Sequence, residues 1–249
     1  MIPASKSKPF NALFSVYNEY YLLRRHFHSV RLRGAVDPLT KGPVLYVMNH
    51  SSWWDGLIAY HAEQTASARD HYMMMDERQM SKFSFFRKIG AFSIDKTSPA
   101  ETVISLKYAM KLLQQDKSVW IFPQGDIRHQ EVRPLTFSSG VGYMLERCAA
   151  AAVIPVTLYY TLGVHQKAEA TMYFGTPISS AWDSIGRKNV TLQLQQKLET
   201  QLDLHKGWIT GENAVELALF HPLWPDGKSA SDRFDAWRRR LSGWNPFSG

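Results

Sequence analysis

A chain of 249 residues, 45% hydrophobic and 20% charged, has the length and composition of one folded domain with a substantial core, which excludes a disordered chain. Its single cysteine, Cys148, rules out an internal disulfide and a cysteine-built metal cage. The formal charge of +7 points to an anionic partner: a phospholipid surface, a phosphorylated substrate or a nucleic acid.

Residues 1–33 carry Lys6, Lys8, Arg24, Arg25, Arg31 and Arg33 against one acid, Glu19. Within them Phe10, Leu13, Phe14, Tyr17 and Tyr21 recur at three- and four-residue spacing, so 1–33 is expected to be a basic amphipathic helix. Such a helix either packs on the domain's own core or lies in the plane of a membrane as an anchor. No run approaches the roughly 20 apolar residues that cross a bilayer, and no secretory h-region is found. The expectation is a peripheral protein on the cytoplasmic face of an anionic membrane.

Val44–Met48 is a short apolar run ending at Asn49, and 54–64 then reads as helix. Residues 71–75 form the next candidate strand. The mixed segment 78–88 follows, and its Phe83, Phe85 and Phe86 either fill the core or make a lipid-facing wall. Ala91–Ile94 is strand-like, and Ser98-Pro99 opens a helix with a hydroxyl cap, proline at the first helical position and Glu101 in the first turn. Its stripe of Val103, Leu106, Met110 and Leu113 has helical period. Beyond it 119–122 reads as strand, 140–151 as helix, 153–160 as strand, 172–174 as a shorter strand and 189–205 as helix. Glycine and proline break 206–249, where Trp208, Trp224, Trp237 and Trp244 with Arg238, Arg239 and Arg240 make either an interfacial surface or a helix packed on the core. Alternating strands and helices predict a single α/β domain with a mixed, largely parallel sheet flanked by helices. Its core is expected over 34–205, with 206–249 as an extension packed on it.

The chemistry concentrates in Asn49-His50-Ser51-Ser52-Trp53-Trp54-Asp55, which leaves a strand and enters a helix. The strand's end fixes His50, and Asp55 falls about one helical turn later, within reach of the imidazole. A carboxylate on one ring nitrogen fixes the tautomer and makes the other nitrogen a better base. No G-x-S-x-G elbow is present and Cys148 falls in an expected helix, so no side-chain nucleophile completes a triad. Direct attack by a substrate hydroxyl is the expectation. The nine histidines show no ligand spacing such as H-E-x-x-H, and no metal is expected.

Asn49-His50-x4-Asp55 after a strand resembles the first signature of the glycerolipid acyltransferase family, which includes the 1-acylglycerol-3-phosphate acyltransferases. Gly90-Ala91-Phe92-Ser93-Ile94-Asp95-Lys96 is similar to the family's second motif, and Phe122-Pro123-Gln124-Gly125 to its third, usually F-P-E-G-T-R. Phe137-Ser138-Ser139-Gly140 and Val153-Ile154-Pro155-Val156 resemble the two that follow, so the likeness spans about residues 30–180. It implies a glycerol-3-phosphate acyltransferase-like fold, with His50 as general base and Asp55 orienting it. The backbone near Gly125, with Asn49, is expected to position the oxyanion, and Lys96, Gln124, Gly125 and Arg128 to bind the acceptor. The acyl donor would be acyl-CoA or acyl-acyl carrier protein and the acceptor a lipid; no metal, redox cofactor or nucleic acid is implied.

The sequence departs from the family where the acceptor binds. Gln124 stands for the usual glutamate, Asp126 for threonine and Ile127 for arginine, with Arg128 one position late, while Lys96 replaces the second motif's arginine. Lysine keeps the charge but loses the two-pronged grip on phosphate. Two acceptor classes stay open: lysophosphatidic acid, and a neutral or glycosylated lipid alcohol such as a glycolipid or carotenoid glucoside. Competing functions are an acyl-thioester hydrolase and a basic lipid- or nucleic-acid-binding protein without catalysis.

Overall fold

The computed structural model describes residues 1–37, 39, 41–227, 234 and 236–239. The chain opens with α1 (Lys8–Tyr17), a π-helical segment (Asn18–Leu23) and α2 (Arg24–His26), then β1 (Phe27–Arg33) and β2 (Val44–Met48). Next come α3 (Asp55–Ala66), β3 (His71–Asp76), α4 (Glu77–Lys82), a 3-10 turn (Ser84–Ile89) and β4 (Ala91–Ile94). The middle of the chain supplies α5 (Pro99–Gln114), β5 (Ser118–Ile121), α6 (Gly140–Leu145), β6 (Ala152–Thr161) and β7 (Ala168–Phe174). The remaining elements are α7 (Trp182–Ile185), α8 (Arg187–Thr210), α9 (Ala214–Leu217) and β8 (His221–Pro222).

One mixed sheet runs β4-β3-β5-β2-β6-β7-β1-β8. The first five strands in that order are mutually parallel; β7 is antiparallel to β6, and β1 is parallel to β7. Every residue of β2 is buried, because helices cover both faces of the sheet. Val44, Tyr46 and Met48 face the layer that holds α3, while Leu45 and Val47 face the layer of α5, α6 and α8. That double burial is why the central strands read as unbroken apolar runs. On α5 the expected start is realised: Pro99 follows the Ser98 cap, whose Oγ accepts the N–H of Glu101 at 3.3 Å.

The expected helix over 1–33 stops at His26. Phe27–Arg33 is instead strand β1, so the sheet begins before residue 34 and reaches beyond 205 through β8. Its arginines hid it: Arg31 and Arg33 pair with Asp226 and Glu216 of the C-terminal segment, partners that no local pattern reveals. The helix expected over 140–151 ends at Leu145, and the strand expected at 172–174 begins at Ala168. Phe85 and Phe86 pack on Phe14 of α1, at ring separations of 5.6 and 5.9 Å, so they fill the core beneath α1. Trp208 stacks against Arg33 and Trp224 is buried, both packed on the core, while Trp237 is exposed. Trp244 and Arg240 lie outside the described residues.

Buried titratable groups tie the layers together. His205 of α8 bridges Thr157 of β6 and Thr171 of β7 at 3.0 Å each. His71 accepts the indole N–H of Trp120 at 3.0 Å and meets the Ser67 hydroxyl at 2.5 Å. Burial lowers the pKa of His71 to about 4 and of His205 to about 3, and raises that of the buried Glu63 to about 8. The two depressed histidines contribute stability that is present above their ordinary 6.5 and is lost as pH falls through about 4 and about 3. Glu63 has the opposite sign: its contribution is complete below its ordinary 4.5 and is lost as pH rises through about 8. Glu63→Gln is therefore expected to unfold at a higher temperature than the parent near about pH 9 and at the same temperature near about pH 4. Thermal scans at both values check this, and a difference independent of pH would contradict it.

Candidate active site

The five parallel strands end on one edge of the sheet, where open α/β folds place their ligands. His50 follows β2, Lys96 follows β4, the Phe122–Gly125 turn follows β5, and Tyr160 closes β6. Asn49 fixes the loop after β2. Its Nδ2 donates to the Leu158 carbonyl at 3.0 Å and its Oδ1 accepts the Leu158 N–H at 2.8 Å, so the side chain completes a rung to β6. Both polar groups of Asn49 are committed there. These bonds give Asn49 a positioning role in the loop that presents His50.

His50 Nδ1 lies 2.8 Å from Asp55 Oδ2. The same oxygen accepts the backbone N–H groups of Ser51 and Ser52 at 2.7 and 2.9 Å, and Oδ1 accepts the Tyr160 hydroxyl at 2.6 Å. Asp55 is wholly buried and stands in the first turn of α3, where the helix dipole favours a negative charge. Burial, and after it the Asp55 charge, push the Tyr160 phenol well above its ordinary pKa, which keeps it a donor. Across the site the His50 ring leans on Phe122, with centroids 4.5 Å apart, and its side chain is 22% exposed. With Nδ1 carrying the proton toward Asp55, Nε2 is the nitrogen available to accept one from solvent or a ligand.

The turn after β5 locks onto this loop. Gln124 Oε1 accepts the His50 N–H at 2.8 Å, and the His50 carbonyl accepts the Arg128 N–H at 2.9 Å. A glutamate at position 124 would accept the same N–H, so glutamine preserves that bond while removing a charge. Gln124 therefore supports the His50 backbone through its Oε1. Gly125 adopts φ +79°, a conformation that glycine takes without the Cβ penalty. Its N–H donates to the Phe122 carbonyl at 3.0 Å, which closes the turn.

Lys96 is held by three oxygens. Its Nζ donates to Gly125 O at 2.6 Å and Asp126 Oδ1 at 2.8 Å, and pairs with Asp76 Oδ2 at 3.1 Å. Burial opposes its charge, but the hydrogen bonds to Asp126 and Asp76 outweigh burial and raise its pKa. The bond from Lys96, and then its charge, hold Asp126 below the ordinary carboxylate value. Arg128 is exposed, its guanidinium 4.0 Å from Asp126. Two cations thus share the site with two carboxylates. Asp76 and Tyr160 escaped the sequence reading; each ends a strand on the right edge, but only strand register brings Asp76 to Lys96 and Tyr160 to Asp55.

Residues 24–159 match the family described as Acyltransferase, and the chain belongs to that family. A 1-acyl-sn-glycerol-3-phosphate acyltransferase of Bacillus subtilis (strain 168) is 33% identical over 116 residues, which are 41% of this chain and 53% of the relative. The chain thus spans about half the length of that curated relative. The crystal structure of the 1-acyl-sn-glycerophosphate (LPA) acyltransferase PlsC from Thermotoga maritima superposes with a TM-score of 0.58 over 79% of each chain at 12% identity. That likeness is one of fold.

Tyr160 is a positioning residue in this arrangement, acting on His50 through Asp55. Tyr160→Phe removes one hydrogen bond from a buried carboxylate and is expected to lower the stability of the fold by about 1.5–3 kcal/mol, the scale of a hydrogen bond to a charged group. Denaturant unfolding of the two proteins checks this, and equal stabilities would contradict the assignment.

Proposed function

We propose that this chain transfers an acyl group from a thioester, acyl-CoA or acyl-acyl carrier protein, to the hydroxyl of a membrane lipid. The observation that carries the reading is the His50–Asp55 pair, with one ring nitrogen fixed and the other open at a ligand-binding edge of the sheet. In the reaction His50 Nε2 accepts the proton of the lipid hydroxyl as its oxygen attacks the thioester carbonyl. The C–S bond breaks as the tetrahedral intermediate collapses, and the imidazolium returns its proton to the departing thiolate. Asp55 holds the ring and stabilises its cationic form. This chemistry uses no metal or redox cofactor.

The acceptor reading follows from the charge at Lys96. A phosphate monoester there would have to displace Asp76 and Asp126 from Lys96, and it would meet their negative charge. A glycosylated or neutral lipid alcohol meets no such repulsion and finds donors and acceptors in the same cluster. Lysophosphatidic acid is the second reading, favoured by the printed activity of the two relatives.

The surface reading rests on α1 and the π-helical segment that continues it. Phe10 and Phe14 turn inward, but Leu13 (68% exposed), Tyr17, Tyr20 (59%) and Tyr21 face outward. The Arg24 and Arg25 guanidinium groups lie over the Tyr20 and Tyr21 rings. Amphipathic rings beside arginines suit the headgroup zone of an anionic bilayer. Among the described residues no helix is long and apolar enough to cross a membrane.

The test supplies acyl-CoA with acceptors carried in anionic vesicles: lysophosphatidic acid, a glycolipid and a carotenoid glucoside, with products identified by mass spectrometry. Acylated glycolipid or glucoside is expected, with lysophosphatidic acid a poor acceptor that improves in Asp126→Thr. Replacing Tyr20 and Tyr21 by serine should weaken vesicle sedimentation and raise KM for the vesicle-borne acceptor. Efficient acylation of lysophosphatidic acid by the parent would overturn the acceptor reading, free fatty acid without any acylated lipid would overturn transfer, and unchanged sedimentation would overturn the α1 surface.

A further inference from the structure

Away from the His50 edge residues, His28 of β1, His165 of the β6–β7 connection and Glu169 of β7 bring one ligand atom each within 4.8 Å of one another. The imidazoles of His28 and His165 lie face to face, with centroids 3.5 Å apart and planes inclined by 15°. His165 Nε2 stands 3.8 Å from Glu169 Oε1. Among the described residues neither histidine ring makes a hydrogen bond to the protein, although His28 is buried. The proposed acyl transfer uses none of the three.

The backbone adds an independent observation. Phe27 pairs with Ala168 and Ser29 with Glu169, so β1 advances two residues while β7 advances one, and His28 is the extra residue of a bulge. A bulge breaks the in-out alternation of a strand and re-aims a side chain, a device that recurs beside functional sites. Here it turns His28 to the side of His165 and Glu169 while Phe27 and Val30 remain in the core. The bulge is secured from the C-terminal segment: the Gly227 N–H donates to the His28 carbonyl at 2.9 Å, and a Cβ at Gly227 would approach that oxygen to 3.2 Å.

We propose that His28, His165 and Glu169 form a binding site for a divalent transition metal of the zinc class, with water completing the coordination. Two neutral imidazoles and one carboxylate are a donor set that such ions favour over magnesium or calcium, which prefer oxygen throughout. An ion at about 2.0–2.1 Å from each donor draws the three atoms together by rotation of the partly exposed His165 and Glu169 side chains, against a fixed His28. Bound there, it ties β1 to the β6–β7 connection beside Phe27, whose ring packs 6.0 Å from that of Tyr160. His28 is remote in the chain from His165 and Glu169, so no local ligand motif marks the three together.

The test uses the full chain, free of any histidine tag and stripped with EDTA, titrated with Zn²⁺ against a chromophoric chelator and unfolded thermally with and without the ion. About one equivalent is expected to bind at micromolar affinity or tighter and to raise the unfolding midpoint, as any ligand of the folded state does. His165→Ala and Glu169→Gln lie on the surface and should unfold at the metal-free parent's midpoint. Each should weaken Zn²⁺ binding by at least about tenfold and lose the zinc-dependent rise. Absence of stoichiometric binding by the parent, or binding as tight as the parent's in either variant, would overturn the proposal and leave the stacked rings as a packing contact.

Discussion

A carboxylate with no contact to water sits where the central strand gives way to a helix, and much of the site's architecture follows from how that charge is accommodated. Burying Asp55 would cost several kcal/mol without compensation. Two backbone N–H groups, the His50 ring and the Tyr160 hydroxyl supply it, and the dipole of α3 adds to them. Those donors come from two places, the loop after β2 and the end of β6, while the carboxylate itself opens α3. The loop can hold its shape only because Asn49 bonds to the Leu158 backbone and Gln124 to the His50 N–H. Together these bonds fix the imidazole relative to the edge where the parallel strands end.

The second charged cluster is balanced differently. Lys96 is bound by Asp76 and Asp126 rather than left open, and Gly125 turns its carbonyl to the same ammonium. In the proposed reaction the base and the acceptor cradle are therefore independent modules joined by the turn after β5. Of the departures from the family pattern, Lys96 and Asp126 fall in the cradle, while Gln124 bonds to the His50 N–H and leaves the base its full set of partners. Cations also stand away from this cluster, in Arg24 and Arg25 beside the exposed tyrosines of the π-helical segment.

What the sequence made legible follows from locality. Val44–Met48 and Ala91–Ile94 were readable to the residue, because strands covered on both faces are apolar runs with abrupt polar or glycine boundaries. His50 and Asp55 were readable because one loop and one helical turn join them. Tyr160 was not, since it lies 105 positions from the carboxylate it holds. Nor was Asp76, whose approach to Lys96 depends on the β3–β4 register that sets Asp76 beside Ile94. Strand β1 was mistaken for helix because its arginines find their acids in the C-terminal segment. Gln124 and Gly125 were recognised as site residues, but their bonds to the His50 N–H and to Phe122 belong to the turn and cannot be inferred from residue type.

The most direct measurement is single-turnover acyl transfer by His50→Ala, beside the parent, with acyl-CoA and the preferred vesicle-borne lipid. Circular dichroism and thermal unfolding of both proteins would establish that the fold is unchanged. Loss of a general base predicts a rate lower by about 10²–10⁴ with the donor still bound. A variant that transfers the acyl group within about threefold of the parent would contradict the role given to His50 and, with it, the purpose assigned to the buried Asp55.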